Sequence, residues 1–220
     1  MTFFTRANRR QFLEIAGKAG LVAAAGIALP GGAFAQAAGD VPMDQLLADG
    51  ALTDVWQGPA NAPCTIIEYA SMTCPHCAHF HESTMPALKS KYIDTGKVRF
   101  TLREFPFDPL ATAAFMLARC SGDKRDAVIG LLFAQQKAWA FSNTPKQGLE
   151  NLTRQTGMTQ AAFDACLVDS KLYDNVNAVR DRGQKFGVDS TPTFYINGKK
   201  VSGALSIEEL DKHIAPLIKS

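Results

Sequence analysis

Apolar and polar residues follow changing periods along the chain, and the order of those periods predicts a mixed α/β fold. Cys64–Ala70 (CTIIEYA) is an apolar, β-branched run with one charge, which favours a strand covered on both faces. Val98–Glu104 (VRFTLRE) alternates and predicts a second strand. Between them a helical pattern begins at Cys74 or Pro75, with a kink expected at Pro86. A strand, a helix and a strand in this order predict a parallel pair joined by a right-handed crossover.

The pattern becomes helical after the second strand. Five helices are predicted between about residues 109 and 187, with Gly, Asn, Thr and Pro in the connections: Leu110–Arg119, Arg125–Ala138, Gln147–Gln155, Ala161–Val168 and Leu172–Phe186. This stretch contains no convincing strand, so we expect it to form an all-helical insertion domain.

Strand signals return towards the C-terminus. Thr193–Ile196 is joined to Lys199–Ser202 by an Asn-Gly pair, which is the strongest two-residue hairpin signal. A capping-box pattern that begins at Ser206 predicts a final helix. We therefore predict an α/β domain over residues 54–220, in the order βαβ, helical insertion, ββα, preceded by a short N-terminal segment over residues 36–53.

The first 35 residues have the three-part plan of an export signal. Arg9 and Arg10 lie in a basic start, an uncharged apolar run follows over Ala19–Leu29, and the small-residue sequence AFA allows cleavage after Ala35. The apolar run is shorter than the ~20 residues that a membrane-spanning helix needs, and an N-terminal anchor or a core helix is the alternative interpretation. Because the sequence RRQFL resembles a twin-arginine signal, we expect a periplasmic protein of a bacterium.

Composition narrows the function classes. The chain has 220 residues, 46% of them hydrophobic, and 23 Lys and Arg against 21 Asp and Glu, for a formal net charge of +2. An ordinary apolar fraction and a small net charge exclude a disordered tail, and the basic excess of a nucleic-acid binder is missing. Five cysteines are too few for a disulfide scaffold of this size. In an exported protein, a pair of thiols is more often a disulfide than a zinc site.

The chemistry is concentrated in Cys74-Pro75-His76-Cys77, where two thiols lie three residues apart at the predicted start of a helix. The free N–H groups and the dipole at a helix N-terminus favour the thiolate of Cys74. Pro75 suits the first helical turn because its missing N–H costs nothing there. A charged or hydrogen-bonding His76 would favour the same anion. Since a stabilised thiolate stabilises the reduced pair, the disulfide of such a pair is a strong electron acceptor.

This tetrad, a strand containing Glu68 before it, and Thr191-Pro192 after the helical block resemble the DsbA family of thiol–disulfide oxidoreductases. The resemblance covers essentially the whole chain after the export signal. It implies a thioredoxin-like fold with a helical insertion, in the order predicted above. It also implies an enzyme that introduces disulfide bonds into folding exported proteins, that needs no cofactor beyond its own disulfide, and that a DsbB-like membrane oxidase reoxidises.

The family's catalytic roles fall on particular positions of this sequence. By the resemblance, Cys74 is the exposed attacking cysteine and Cys77 its buried resolving partner. Pro75 and His76 lie between them, and His76 tunes the thiolate. Glu68 takes the place of a buried acid that accepts a proton from Cys77, and a strand-end salt bridge with a lysine is the alternative interpretation.

Thr191-Pro192 resembles the cis-proline element that faces the disulfide and pairs with an extended substrate chain. The best-known oxidases of the family have Val before this proline, whereas Thr occurs in isomerases and other branches. A reductase or isomerase of the same fold is therefore the alternative function. Dedicated dimeric isomerases have a separate N-terminal dimerisation domain, for which residues 36–53 are too few, so we expect a monomeric oxidase.

Three further cysteines lie outside the tetrad. Cys120 and Cys166 fall in two helices of the insertion and are predicted to form a structural disulfide, two small apolar residues being the alternative. Some alphaproteobacterial-type DsbA relatives have such a pair. Cys64 is predicted to be a buried, inert thiol. Cys77 and His81 share a helix face, but no second group of ligands is evident, so we predict no metal site and expect His81 to pack at the helix surface. A metal-binding chaperone is the remaining alternative.

Overall fold

A four-stranded mixed sheet organises the computed structural model, which describes residues 39–218. The strands are Cys64–Ala70 (β1), Val98–Glu104 (β2), Thr193–Ile196 (β3) and Lys199–Ser202 (β4), in the spatial order β2-β1-β3-β4. β1 and β2 are parallel, whereas β3 is antiparallel to both β1 and β4. The predicted α/β fold class and the predicted strands are confirmed. The predicted export signal, residues 1–35, lies outside the described residues.

β1 is a central strand, and all seven of its residues are buried. Successive side chains of a strand point to opposite faces of the sheet. Cys64, Ile66 and Ala70 accordingly pack into the larger of two apolar clusters, whereas Tyr69 packs into the smaller one. The same alternation directs Glu68 to the face of the larger cluster, where the helix that follows β1 also packs.

The turn between β3 and β4 requires left-handed backbone conformations. Asn197 has a φ of 45° and Gly198 a φ of 89°, as expected for a two-residue hairpin. The Asn197 side chain accepts a hydrogen bond from the backbone N–H of Thr65 at 2.7 Å. A Cβ at position 198 would come within 2.6 Å of the carbonyl oxygen of Val41. The turn therefore requires glycine and fixes β3 beside β1.

The helical segment after β1 is divided into three parts: Pro75–Ser83 (α2), Met85–Leu88 (α3) and a π-helical turn over Lys89–Ile93. The kink expected at Pro86 is found as a break at Thr84, because Pro86 has no N–H to continue the ladder of α2. The Thr84 hydroxyl donates to the carbonyl of Leu205 at 2.9 Å and so attaches the break to the C-terminal part of the chain.

The remaining helices lie mainly between β2 and β3. A short helix, Met43–Leu47 (α1), precedes the sheet, and the others are Pro109–Cys120 (α4), Arg125–Ala134 (α5), Gln136–Trp139 (α6), Pro145–Gln155 (α7), Gln160–Leu167 (α8), Ser170–Lys185 (α9) and Ile207–Ile214 (α10). The helix predicted over Arg125–Ala138 is wrong as a single element, since Gln135 leaves the helical conformation and separates α5 from α6. No helix of the described residues is long and apolar enough to cross a bilayer.

Candidate active site

The tetrad lies where β1 leads into α2. Cys74 is the N-cap residue with an extended backbone, and Pro75 takes the first helical position, where its missing N–H breaks no bond. Both Cys74 and Cys77 are free thiols. Cys74 is 8% exposed, whereas Cys77 is fully buried. Both cysteines are thus buried, and the expected exposure of Cys74 is wrong, because the backbone of Thr191 lies against its sulfur; Cys74 is only the less buried of the two.

The surroundings of Cys74 favour its thiolate and lower its pKa to about 5. The largest cause is a hydrogen bond from the Cys77 thiol, which outweighs the opposing effect of burial. The Thr191 side chain and the backbone N–H groups of Cys77 and His76 lower the pKa further, as expected at a helix N-terminus. At neutral pH the reduced protein therefore holds Cys74 as a thiolate.

The pKa of Cys77 is shifted in the opposite direction, well above its usual value. Burial is the largest cause, followed by the hydrogen bond to Cys74 and the negative charge of Glu68. The pair is thus asymmetric. Cys74 is ready to act as a nucleophile, whereas Cys77 keeps its proton until a base removes it.

The peptide bond between Thr191 and Pro192 is cis and lies against the outer sulfur. Sγ of Cys74 lies 3.4 Å from the carbonyl oxygen of Thr191, to which it donates a hydrogen bond only in its protonated form. The Thr191 hydroxyl oxygen is buried and makes no hydrogen bond with any described oxygen or nitrogen, which leaves it free to donate to a thiolate. The structure thus brings Thr191 and Pro192 to the dithiol.

Two residues that sequence reasoning did not single out hold the loop of the tetrad. The side-chain amide of Gln136 donates to the carbonyls of Met72 and Cys74 at 2.8 and 3.0 Å. Asp108 accepts a hydrogen bond from the Thr73 hydroxyl at 2.6 Å, and its other carboxylate oxygen caps α4. An Asp followed by Pro is a recognisable helix start, but nothing in the sequence indicates the contact that Gln136 makes across the fold.

Glu68 is fully buried, and its partner is a histidine rather than a lysine. Its Oε2 lies 2.8 Å from Nε2 of His81, and its Oε1 accepts no hydrogen bond from any described residue. The expectation that His81 packs at the helix surface is wrong. The side chain turns inward, where it is 9% exposed and stacks on Phe133 with ring centroids 4.4 Å apart. The four-residue spacing from Cys77 was the available signal, because it places both side chains on the helix face that covers β1.

Pro75 and His76 are exposed at the start of α2. The contribution of His76 to the low pKa of Cys74 comes from its backbone N–H. An effect of the imidazole charge on the thiolate stays a prediction. His79, three residues further along α2, is also exposed.

The other cysteines differ from the tetrad in both position and reactivity. A disulfide joins Cys120, the last residue of α4, to Cys166 in α8. Cys64 is a fully buried free thiol at the start of β1, and burial raises its pKa to about 12. A buried thiol that stays protonated at neutral pH is unreactive. Among residues 39–218, no three His, Cys, Asp or Glu side chains are grouped so that they could hold a metal ion.

A dithiol at a helix N-terminus that faces a cis-proline on a four-stranded mixed sheet defines a thioredoxin-like protein. A family model described as thioredoxin matches residues 51–215. The structure of α-DsbA1 from Wolbachia pipientis superposes with a TM-score of 0.73 at 29% identity, over 80% of this chain and 96% of that one. The chain belongs to the DsbA family of thioredoxin-like proteins.

Several curated relatives come from Rickettsia. A Rickettsia typhi protein, provisionally named a protein-disulfide oxidoreductase, is 32% identical over 167 residues, which are 73% of this chain and 60% of the relative. A Rickettsia conorii protein with the same description is 34% identical over 71% of this chain and 57% of its own length. This chain thus spans about three fifths of the length of these relatives. BdbD from Bacillus subtilis shares the fold, with a TM-score of 0.65 at 22% identity over 76% of this chain and 94% of that one.

Proposed function

We propose that this protein oxidises dithiols in exported proteins as they fold, by exchange through the Cys74–Cys77 pair. The proposal rests on one observation, the position of Cys74 at the N-terminus of α2 beside the fully buried Cys77, in surroundings that lower the pKa of Cys74 to about 5 and raise that of Cys77. Surroundings that stabilise the Cys74 thiolate stabilise the reduced pair. Each pKa unit corresponds to ~1.4 kcal/mol, or about 30 mV for a two-electron couple. The disulfide of this pair is therefore a strong electron acceptor.

The reaction has two exchange steps. A substrate thiolate attacks Sγ of Cys74 in the oxidised protein, the bond to Cys77 breaks, and Cys77 leaves as a thiolate that takes up a proton. A second substrate thiolate then attacks the substrate sulfur of the mixed disulfide. This forms the substrate disulfide and releases Cys74 as a thiolate, which its low pKa makes a good leaving group. Two electrons pass from the substrate to the enzyme pair.

The cis peptide bond offers a place for the substrate backbone. The Thr191 carbonyl lies 3.4 Å from Sγ of Cys74, so a chain linked to that sulfur passes next to the backbone at position 191. An extended peptide can pair with such a backbone through main-chain hydrogen bonds, which bind many sequences equally. This supports a role in oxidising varied unfolded proteins.

The setting of the reaction is part of the proposal. The export signal in the first 35 residues supports a periplasmic location, with cleavage after Ala35. The reduced pair then needs an electron acceptor, and a DsbB-like membrane oxidase has the chemistry required.

Equilibration with glutathione tests the direction of electron flow. The purified protein is held in buffers of graded ratios of reduced and oxidised glutathione, quenched with acid, alkylated and analysed by peptide mass for the thiols of Cys74 and Cys77. We expect a potential above about −200 mV, as an oxidase requires. A value near −270 mV would assign the reductase direction instead. Wild-type protein reduced with excess dithiothreitol is the reference for the fully reduced signal.

A further inference from the structure

Cys77 must gain and lose a proton in every catalytic cycle, although it is fully buried. The carboxylate of Glu68 lies close enough for its charge to raise the pKa of Cys77. Glu68 is itself fully buried. A proton that passes between these two groups therefore needs a further group to reach solvent.

His81 connects Glu68 to a groove. Its Nε2 lies 2.8 Å from Oε2 of Glu68, and its Nδ1 makes no hydrogen bond with any described residue. The ring is one wall of a groove of about 710 Å³ whose other walls include Met85, Phe100 and Ile129. One nitrogen of the imidazole therefore contacts the buried carboxylate, while the ring reaches a space large enough for several water molecules.

The other charged groups around this groove do not pair with His81, which pairs with Glu68. Glu68 of β1 contacts His81, while β2, α3 and α5 contribute apolar walls of the groove. The other charged side chains at the groove have partners of their own: Asp126 of α5 with Gln57 and Arg125, and Lys89 with Asp94 at the π-helical turn. Within the described part of the chain, Glu68 is the one charged group within hydrogen-bonding distance of His81.

The DsbA resemblance gives Glu68 the role of proton acceptor for Cys77, and we propose that His81 is the positioning residue that links this buried carboxylate to solvent, so that the two side chains act as one proton-exchange unit. The inference rests on the proposed dithiol exchange and adds a route for its proton. During reoxidation, the proton of Cys77 passes to the Glu68 carboxylate, and the Cys77 thiolate attacks the mixed disulfide at Cys74. The His81 imidazolium releases its Nδ1 proton to water in the groove and keeps its Nε2–H on Oε2. One proton enters the unit and one leaves it, and substrate oxidation runs the same transfer in reverse.

The exchange step itself provides the test. Reduced protein is mixed with oxidised glutathione, which forms the mixed disulfide at Cys74, and the release of glutathione by Cys77 is followed by rapid quench from pH 5 to pH 9. The variant His81→Gln keeps an amide donor for Glu68 but cannot pass a proton. We expect release to slow by about tenfold at neutral pH, the low end of what one acid–base group contributes, with a changed pH profile. His79→Gln makes the same change at an exposed position of α2 and should leave the profile unchanged.

The outcomes separate this inference from the proposed function. Equal rates and pH profiles for wild type and His81→Gln would overturn the role of His81 while leaving dithiol exchange intact. If wild type released glutathione no faster than Cys77→Ser, the proposed function itself would be wrong.

Chemical rescue distinguishes proton transfer from packing. In His81→Ala, added imidazole should restore the release rate, whereas pyrrole, which has the same ring size but no basic nitrogen, should not. Equal rescue by both compounds would show that His81 contributes packing and not proton transfer. Should the variants fail to fold, nitrogen NMR of the wild-type His81 ring decides. Nδ1 should change its protonation between the oxidised and reduced protein, and an unchanged signal would overturn the proposal.

Discussion

The two cysteine pairs of this protein contain the same atoms but lie at opposite ends of helices. Cys74 is the N-cap of α2, where backbone N–H groups and the positive end of the helix dipole favour a thiolate. Cys120 is the last residue of α4, and Cys166 is the penultimate residue of α8. The free carbonyl groups and the negative end of the dipole at a helix C-terminus disfavour a thiolate. Position on a helix thus separates a pair that exchanges electrons readily from one that holds the fold together.

Spacing along the chain adds a second difference. Cys74 and Cys77 are within one helical turn, so their bond constrains little of the unfolded chain. Cys120 and Cys166 are 46 residues apart in sequence, and their disulfide links two of the helices between β2 and β3. A crosslink that closes a long loop stabilises the fold mainly by restricting the unfolded state. We therefore expect the first pair to control activity and the second to control stability.

The largest expected effect is on activity. Cys74→Ser removes the attacking sulfur and should lower dithiol oxidation at least about 1000-fold, since no other group can form the mixed disulfide. The measurement is the oxidation of a dithiol peptide followed by fluorescence or mass. Cys64→Ser is the matched control, because that thiol is buried and protonated and should leave the rate unchanged. A rate that fell with Cys64→Ser but survived Cys74→Ser would refute the assignment of the site.

The second effect is on stability. Replacing Cys120 and Cys166 together by Ser should lower the free energy of unfolding by ~3–4 kcal/mol, as the chain-entropy relation gives for a loop of this length. Denaturant unfolding of the oxidised protein measures this difference. The double variant should still oxidise the dithiol peptide at a rate close to that of wild type. Unchanged stability or lost dithiol exchange in the double variant would contradict the idea that this pair controls stability and not activity.

The third effect is a pH dependence confined to the active pair. In the reduced protein the pKa of Cys74 is about 5 when folded and near 8.5 when unfolded. A lowered folded pKa contributes stability that is fully present above the unfolded pKa and is lost as the pH falls through the folded one. The reduced form should therefore gain about 2 kcal/mol relative to the oxidised form between pH 5 and pH 7, after allowance for solvent screening. Unfolding both forms at several pH values tests this, and a flat difference would contradict the stabilised thiolate.

The same contrast explains what the sequence could and could not predict. The strands and the helix start at Pro75 followed from local patterns, since period and capping are properties of neighbouring residues, whereas the cis-proline position came from the resemblance to the DsbA family. Gln136 reaches Cys74 across the fold, and His81 turns towards Glu68 on the adjacent strand. Contacts of this kind depend on how elements pack, and hydrophobic periodicity contains no information about them. The residues that share one helix face are easier to predict, because the four-residue spacing of Cys77 and His81 places them on the same face.

The smallest predicted effect concerns the exposed histidine of the tetrad. His76→Ala keeps the backbone N–H that helps to lower the pKa of Cys74 and removes only the imidazole. A partly solvated positive charge near a thiolate is worth about 1.4 kcal/mol, so the pKa of Cys74 should rise by about one unit and the pair should become less oxidising by about 30 mV. Thiolate absorbance near 240 nm measured against pH gives the pKa. His79→Ala, three residues further along α2, is the matched control and should leave the titration of Cys74 unchanged. An identical titration for His76→Ala would show that His76 lowers the pKa of Cys74 only through its backbone N–H. The N-terminus of α2 would then be the feature that distinguishes the active pair from the structural one.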